Sequence, residues 1–192
     1  MSTAPKRYIS AEEYLEIERK AEFKSEYYDG DIFAMAGAKN PHPRIVSNIV
    51  RELGNLLIDS PCYVASNDVR VHVAENRFYT YPDAVVLCSE EVWNDKEEDT
   101  TSNPTAIFEV LSESTKDYDR GMKFELYRGL SSLQEYVLVS QDKCHVEHFS
   151  KQANGTWLLT ERNNIDDKLF LRSLNVEFPL HHIYFRIRFR KK

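Results

Sequence analysis

Cysteine is scarce in this chain. Cys62, Cys88 and Cys144 are scattered over 192 residues and form no CxxC pair. That spacing argues against a zinc site or a disulfide framework, and it predicts buried thiols in a reducing compartment, so the protein is expected to be cytosolic. Long apolar runs are missing too: no stretch approaches the ~20 residues of a membrane span. The N-terminal segment Met1-Ser2-Thr3-Ala4-Pro5-Lys6-Arg7-Tyr8 lacks the apolar centre of a signal peptide. Internal repeats and linker-like stretches are absent. So is an excess of positive charge, since 25 Lys and Arg face 31 Asp and Glu for a net charge of −6. A general, avid nucleic-acid binder would be basic. The charge is uneven, however. Arg186, Arg188, Arg190, Lys191 and Lys192 make the C-terminus basic, whereas Glu90 to Asp99 carries six acids and one lysine. A local basic groove on an acidic protein can still hold a phosphate backbone.

What is present suits one globular domain over residues 1–192. This length buries about two-thirds of the unfolded surface, and 42% of residues are apolar and 12% aromatic. Ser10 and Glu13 form a capping box that opens a helix to about Ala21, with Tyr14, Leu15 and Ile17 as its apolar positions. Asp29-Gly30 is a turn signal between Glu26-Tyr27-Tyr28 and Ile32-Phe33-Ala34-Met35, which predicts a hairpin. Pro43 suits the first turn of a helix that buries Ile45, Val46, Ile49, Val50, Leu53, Leu56 and Leu57. Strands are predicted at about 62–66, 68–73 and 78–87, followed by a mobile polar loop from Asn94 to Asn103. A strand around Glu109 leads to a helix from Ser112-Glu113-Ser114-Thr115 to about Gly129. Strands at 135–140, 144–150 and 156–161 and a short element at 183–189 complete the chain. The order predicts an α+β fold with a central mixed sheet flanked by helices.

Two carboxylates stand where hydrophobic side chains are expected. Asp83 lies in Tyr81-Pro82-Asp83-Ala84-Val85-Val86-Leu87, and Glu109 in Ala106-Ile107-Phe108-Glu109-Val110-Leu111. Both segments read as strands of a buried sheet, where a lone charge is costly unless paired or metal-bound. Lys123 follows Glu109 by 14 residues on the next helix. Two acids and a lysine at one sheet edge are what Mg²⁺-dependent phosphodiester hydrolysis needs: hard oxygen ligands, and a cation to orient water or neutralise developing charge. The carbonyl of Val110 would be a natural third ligand. Blander readings stand beside this one. Pro-Asp is common at turns, and Lys123 could simply pair with Asp119 four residues earlier. Tyr118, Met122 and Leu126, at i, i+4 and i+8, read as the core stripe of the helix. Asp68 and Arg70 read as a surface pair.

Several segments together resemble the Uma-type restriction-endonuclease family of the PD-(D/E)XK nuclease superfamily. They are Tyr81-Pro82-Asp83, Phe108-Glu109-Val110-Leu111-Ser112-x-Ser114-Thr115 and Tyr118-Asp119-Arg120-x-x-Lys123-x-x-x-Tyr127. Glu26-Tyr27-x-Asp29-Gly30, Ala36-Gly37-Ala38 followed by His42, and Leu133-Gln134-Glu135-Tyr136-Val137-Leu138-Val139 extend the match from about Phe23 to Trp157. The resemblance implies a sheet-centred nuclease fold, DNA as partner, Mg²⁺ (Mn²⁺ as substitute) as cofactor, and Asp83 and Glu109 as ligands. The superfamily usually places its lysine two residues after the second acid, where this chain has Leu111. Lys123 matches the variants whose lysine has moved to the following helix. Glu26 matches an N-terminal acid that reaches the metal in some relatives; its alternative is a cross-strand hairpin partner. His42, at a helix start, could bind phosphate or act as a base, or be structural.

The leading expectation is therefore a Mg²⁺-dependent DNA endonuclease with no separate sequence-reading domain. The rival is a non-catalytic binding or assembly module that retains the fold. A homodimer is expected from the symmetry of a double-strand cut. Ile183-Tyr184-Phe185-x-Ile187-x-Phe189 could serve as its contact surface or pack on its own core.

Overall fold

The computed structural model describes residues 7–35, 37–88, 90 and 92–189. Ala36 and the basic residues Arg190, Lys191 and Lys192 lie outside them. Helix α1 (Ala11–Glu18) starts as the capping box predicts, with Ser10 Oγ accepting from the Glu13 amide. It buries Tyr14 against Tyr27 and Tyr79, while Ile17 stays exposed. Strands β1 (Ser25–Tyr28) and β2 (Asp31–Ala34) form the hairpin, turned by Asp29 and Gly30 at positive φ. Helix α2 (His42–Leu56) carries Pro43 in its first turn and buries Ile45, Ile49 and Leu53. Leu56, expected inside, is exposed.

The segment read as one strand over 78–87 is two. β3 (Cys62–Ser66), β4 (Arg70–Val73) and β5 (Phe78–Thr80) precede a joint at Tyr81-Pro82-Asp83, and β6 (Ala84–Cys88) comes after it. Pro82 has no amide to donate to a ladder, so the chain changes sheets there. β5 belongs to a five-stranded sheet in the order β2-β1-β5-β4-β7, closed by the short β7 (Thr100–Thr101). β6 belongs to a six-stranded sheet with β8 (Ala106–Leu111), β9 (Glu135–Ser140), β10 (Val146–Lys151) and β11 (Trp157–Arg162), in the order β11-β10-β9-β8-β6-β3. Only β8 and β9 run parallel within it. The crossover joining them is helical: α3 (Lys116–Tyr118), a π-helical turn at Asp119–Lys123, then α4 (Phe124–Tyr127).

The central strands β6, β8 and β9 are buried on both faces, which explains their unbroken apolar runs. Ala84, Val86, Ala106, Phe108, Val110, Val137 and Val139 pack under α2 and the C-terminal segment. Val85, Leu87, Ile107, Leu111, Tyr136 and Leu138 pack under the crossover helix and the five-stranded sheet. Asp83 and Glu109 share the parity of this second face.

Three further expectations are corrected. Cys62 and Cys88 face each other across β3 and β6 and form a disulfide, leaving Cys144 as the free thiol. Their separation of 26 residues hid the pairing, and the case for a reducing compartment loses that support. The acidic 94–103 segment is anchored, not free: β7 pairs with β4, and Arg19 binds both Asp95 and Asp99. Asp68 and Arg70 do not pair. Lys24 takes Asp68, whereas buried Arg70 donates to Tyr81 (2.9 Å) and Thr100 (2.8 Å). The hairpin β12 (Lys168–Leu171) and β13 (Val176–Pro179) was not anticipated; with α5 (Leu180–Ile183) it covers the first face. Ile183, Tyr184, Ile187 and Phe189 pack on that core, the second of the two readings of this stretch, while Phe185 is 48% exposed. Among the described residues, no helix is long and apolar enough to cross a membrane.

Candidate active site

The site forms where the two sheets meet. β6 and β8 are antiparallel neighbours with Ala84 opposite Phe108, so Asp83 comes level with Glu109. The Val110 amide donates to Asp83 Oδ2 at 2.7 Å, and the Asp83 amide reaches Glu109 Oε2 at 3.4 Å. Val110, expected to act through its carbonyl, is thus seen to orient Asp83 through its N–H. His42 approaches from the start of α2, its Nε2 3.2 Å from Asp83 Oδ2, and its Nδ1 is buried without a hydrogen-bond partner among the described residues.

Lys123 enters from the crossover helix. Its Nζ lies 2.9 Å from Glu109 Oε1, 3.1 Å from Glu26 Oε1 and 3.7 Å from Asp119 Oδ1. The anticipated helical pair with Asp119 exists but is the longest of the three contacts. Glu26, on β1, also accepts from Thr80 and from Tyr118 (3.0 Å), so it belongs to the site and is not merely a hairpin residue. Tyr127 donates to Glu109 Oε1 at 2.9 Å.

Asp119, Tyr118 and Tyr127 were not anticipated here. An α-helix continued through 118, 122 and 126 would point Tyr118 and Met122 into the core. The helix, which includes a π turn at Asp119–Lys123, instead sets Asp119, Lys123 and Tyr127 inward while Met122 is exposed. The i, i+4, i+8 spacing of those three polar residues was the available signal.

Three buried acids surround one buried ammonium. Burial alone would pull Lys123 down, but Glu109, Tyr127, Glu26 and Asp119 together hold its pKa well above the ordinary value. Burial disfavours the Glu26 anion, yet Lys123, Thr80 and Tyr118 outweigh it and keep its pKa low. Glu109 goes the other way. Burial, with Asp119 and Asp83 nearby, overcomes Lys123 and pushes it up to about 8. Asp119 is raised chiefly by burial. Acid charge thus exceeds base charge, which favours proton uptake by Glu109 or the arrival of a further cation.

Among the described residues, no three His, Cys, Asp or Glu side chains form a ready-made metal cage. Mg²⁺ does not require one, because it is commonly held by one or two carboxylates while keeping waters. The hard-oxygen donors of Asp83 and Glu109, with their unbalanced acidity, fit such an ion. The site opens into a cleft of about 2570 Å³ bounded by the hairpin, the start of α2 and the 112–123 segment.

Sheets, crossover and cleft define a nuclease-like α+β fold. A crystal structure of a putative nuclease belonging to DUF820 from Anabaena variabilis ATCC 29413 shares it, with TM-score 0.76 at 15% identity over 92% of this chain and 97% of that one. The model of the Uma2 family, described as Putative restriction endonuclease, matches residues 11–181, and the chain belongs to that family. Two relatives from Synechocystis sp. (strain PCC 6803) are similar along most of their length. Uncharacterized protein sll1609 is 38% identical over 84% of this chain and 91% of its own. Uncharacterized protein slr1290 is 34% identical over 95% and 94%.

Proposed function

We propose that this chain is a Mg²⁺-dependent DNA endonuclease acting through Asp83, Glu109 and Lys123. The observation that carries the reading is the buried Lys123–Glu109 contact of 2.9 Å beside Asp83, in a cluster with more acid than base, at the foot of an open cleft. Asp83 and Glu109 would hold the ion, with the Val110 carbonyl as a backbone ligand. When bound, Mg²⁺ (or Mn²⁺) supplies Lewis-acid activation of water and of the phosphoryl oxygens. Lys123, fixed by Glu26 and Glu109, presents an ammonium that orients the attacking water and offsets charge developing on the phosphate. Tyr127 fixes the Glu109 carboxylate, and Tyr118 fixes Glu26. His42 steadies Asp83 through Nε2, while its Nδ1 stays buried. Belonging to this family favours nucleic acid over other phosphoesters.

The test is incubation of supercoiled and single-stranded DNA with Mg²⁺ or Mn²⁺, beside Asp83→Ala and an EDTA control. Metal-dependent cleavage lost in Asp83→Ala supports the reading. A folded protein that cuts neither substrate would favour the non-catalytic module.

A further inference from the structure

The hairpin face that carries Glu26 also carries Phe33, a large aromatic outside the core clusters. Glu26 and Phe33 are directly opposed in the β1–β2 register, so their side chains project from the same face. Glu26 reaches Lys123 at 3.1 Å, while Phe33 is 50% exposed on the cleft wall beside it. The other face of the hairpin, with Tyr27 and Ile32, packs on Tyr14 and Tyr79, and Phe33 belongs to none of the core clusters. Phe23, 79% exposed, extends the wall, and Met122, 43% exposed, lines the cleft from the crossover helix. Lys39, Lys143 and Arg188 add exposed cations to the cleft.

We propose that the substrate enters this cleft as unpaired, single-stranded DNA, with a base stacked on Phe33 while its phosphate lies against the acids and Lys123. The inference rests on the nuclease reading and narrows its substrate. In a duplex the flat faces of the bases are covered by their neighbours, so only an unpaired nucleotide can offer one to Phe33. The carboxylate and ammonium groups also lie deep: the side chains of Glu109 and Lys123 are 5% and 6% exposed. A flexible strand can lower a phosphate toward them more readily than a rigid rod can. Cations and aromatic rings lining one groove, as Lys39, Lys143, Arg188 and Phe33 do here, are the combination that binds single strands with little sequence preference.

The experiment measures fluorescence anisotropy of labelled oligonucleotides with the full chain in Ca²⁺. The arms are a single-stranded DNA, its duplex and an RNA of the same sequence, for the parent, Phe33→Ala and Phe33→Trp. The expected result is tighter binding of single-stranded DNA than of duplex. Phe33→Ala should weaken it roughly 5- to 150-fold, the range for loss of one base–aromatic stack, and Phe33→Trp should retain it. Because Phe33 is half exposed, unchanged melting of both variants is expected. Preference for duplex, or an unaltered affinity in Phe33→Ala, would overturn the stacking proposal while leaving the nuclease reading intact. Tighter binding of RNA would overturn the choice of DNA. If Phe33→Ala changes the light-scattering mass instead, the wall is a contact between copies and the proposal fails. Failure of the parent to bind any of the three would count against the nuclease reading itself.

Discussion

Glu109 and Lys123 form a pair whose energetics are set by their surroundings. An acid whose folded pKa is raised binds more protons in the native state than in the unfolded state between its ordinary value and its raised one. For Glu109 that window runs from about 4.5 to about 8, and stability contributed by its neutral form is lost as pH rises through it. The metal-free protein should therefore melt several degrees lower at pH 9 than at pH 5, and Glu109→Gln should flatten that decline. A parent whose melting temperature rises over this range would show that Lys123 outweighs burial. Removing Lys123 exposes the opposite imbalance. Lys123→Met leaves Glu26, Glu109 and Asp119 buried together, which should cost about 3–5 kcal/mol at pH 8 by urea melts and less at pH 5, where acids can protonate. Activity lost in that variant has to be read under conditions where it is folded. Asp83 and Glu109 were legible in the sequence because a charge inside an apolar strand is conspicuous. Glu26 stood out through family resemblance and His42 through that and its place at a helix start, and their closeness to the acids is a long-range fact.

At the level of elements, the rotational setting of the crossover helix decides which of its residues meet the site. A regular period allows either Tyr118, Met122 and Leu126 or Asp119, Lys123 and Tyr127 as the inward set, and the structure turns the second set inward while keeping Leu126 buried. Local propensity does not distinguish the two settings, nor does it announce the π turn. Arg120, within it, reaches across to Glu147 on β10 with hydrogen bonds of 2.7, 2.9 and 3.1 Å. Arg120→Ala should destabilise the protein by about 1 kcal/mol in urea melts, after discounting a bidentate pair for the 36% exposure of the arginine. It should also lower cleavage by more than that loss of stability explains, through a looser Lys123. An unchanged rate would mean that packing of Phe124 and Tyr127 fixes the turn alone. The split of the 78–87 segment has a different cause. Pro82 was visible, but whether a proline ends a strand or moves it to another sheet depends on partners far away in the chain.

Across the whole molecule, element types were read well from periodicity, whereas the division into two sheets, the β12–β13 hairpin and the Cys62–Cys88 bond were not. Lys168–Leu171 and Val176–Pro179 alternate buried and exposed residues, so their pattern was readable in principle; the disulfide depended on register alone. The two sheets matter for function, since β1 delivers Glu26 from one and β8 delivers Glu109 from the other to a single ammonium. The most direct measurement is single-turnover cleavage of labelled DNA as a function of Mg²⁺ concentration, by the parent, Asp83→Asn and Lys123→Met. The parent should reach a saturating rate with Mg²⁺ and none in EDTA, and Asp83→Asn should not cut at any concentration. Lys123→Met should saturate at a similar Mg²⁺ concentration with a rate lower by roughly 100-fold or more, as expected for a group acting in the transition state. Cleavage that survives EDTA, or equal rates in all three proteins, would contradict a metal site built on Asp83 and Glu109 with Lys123 beside it.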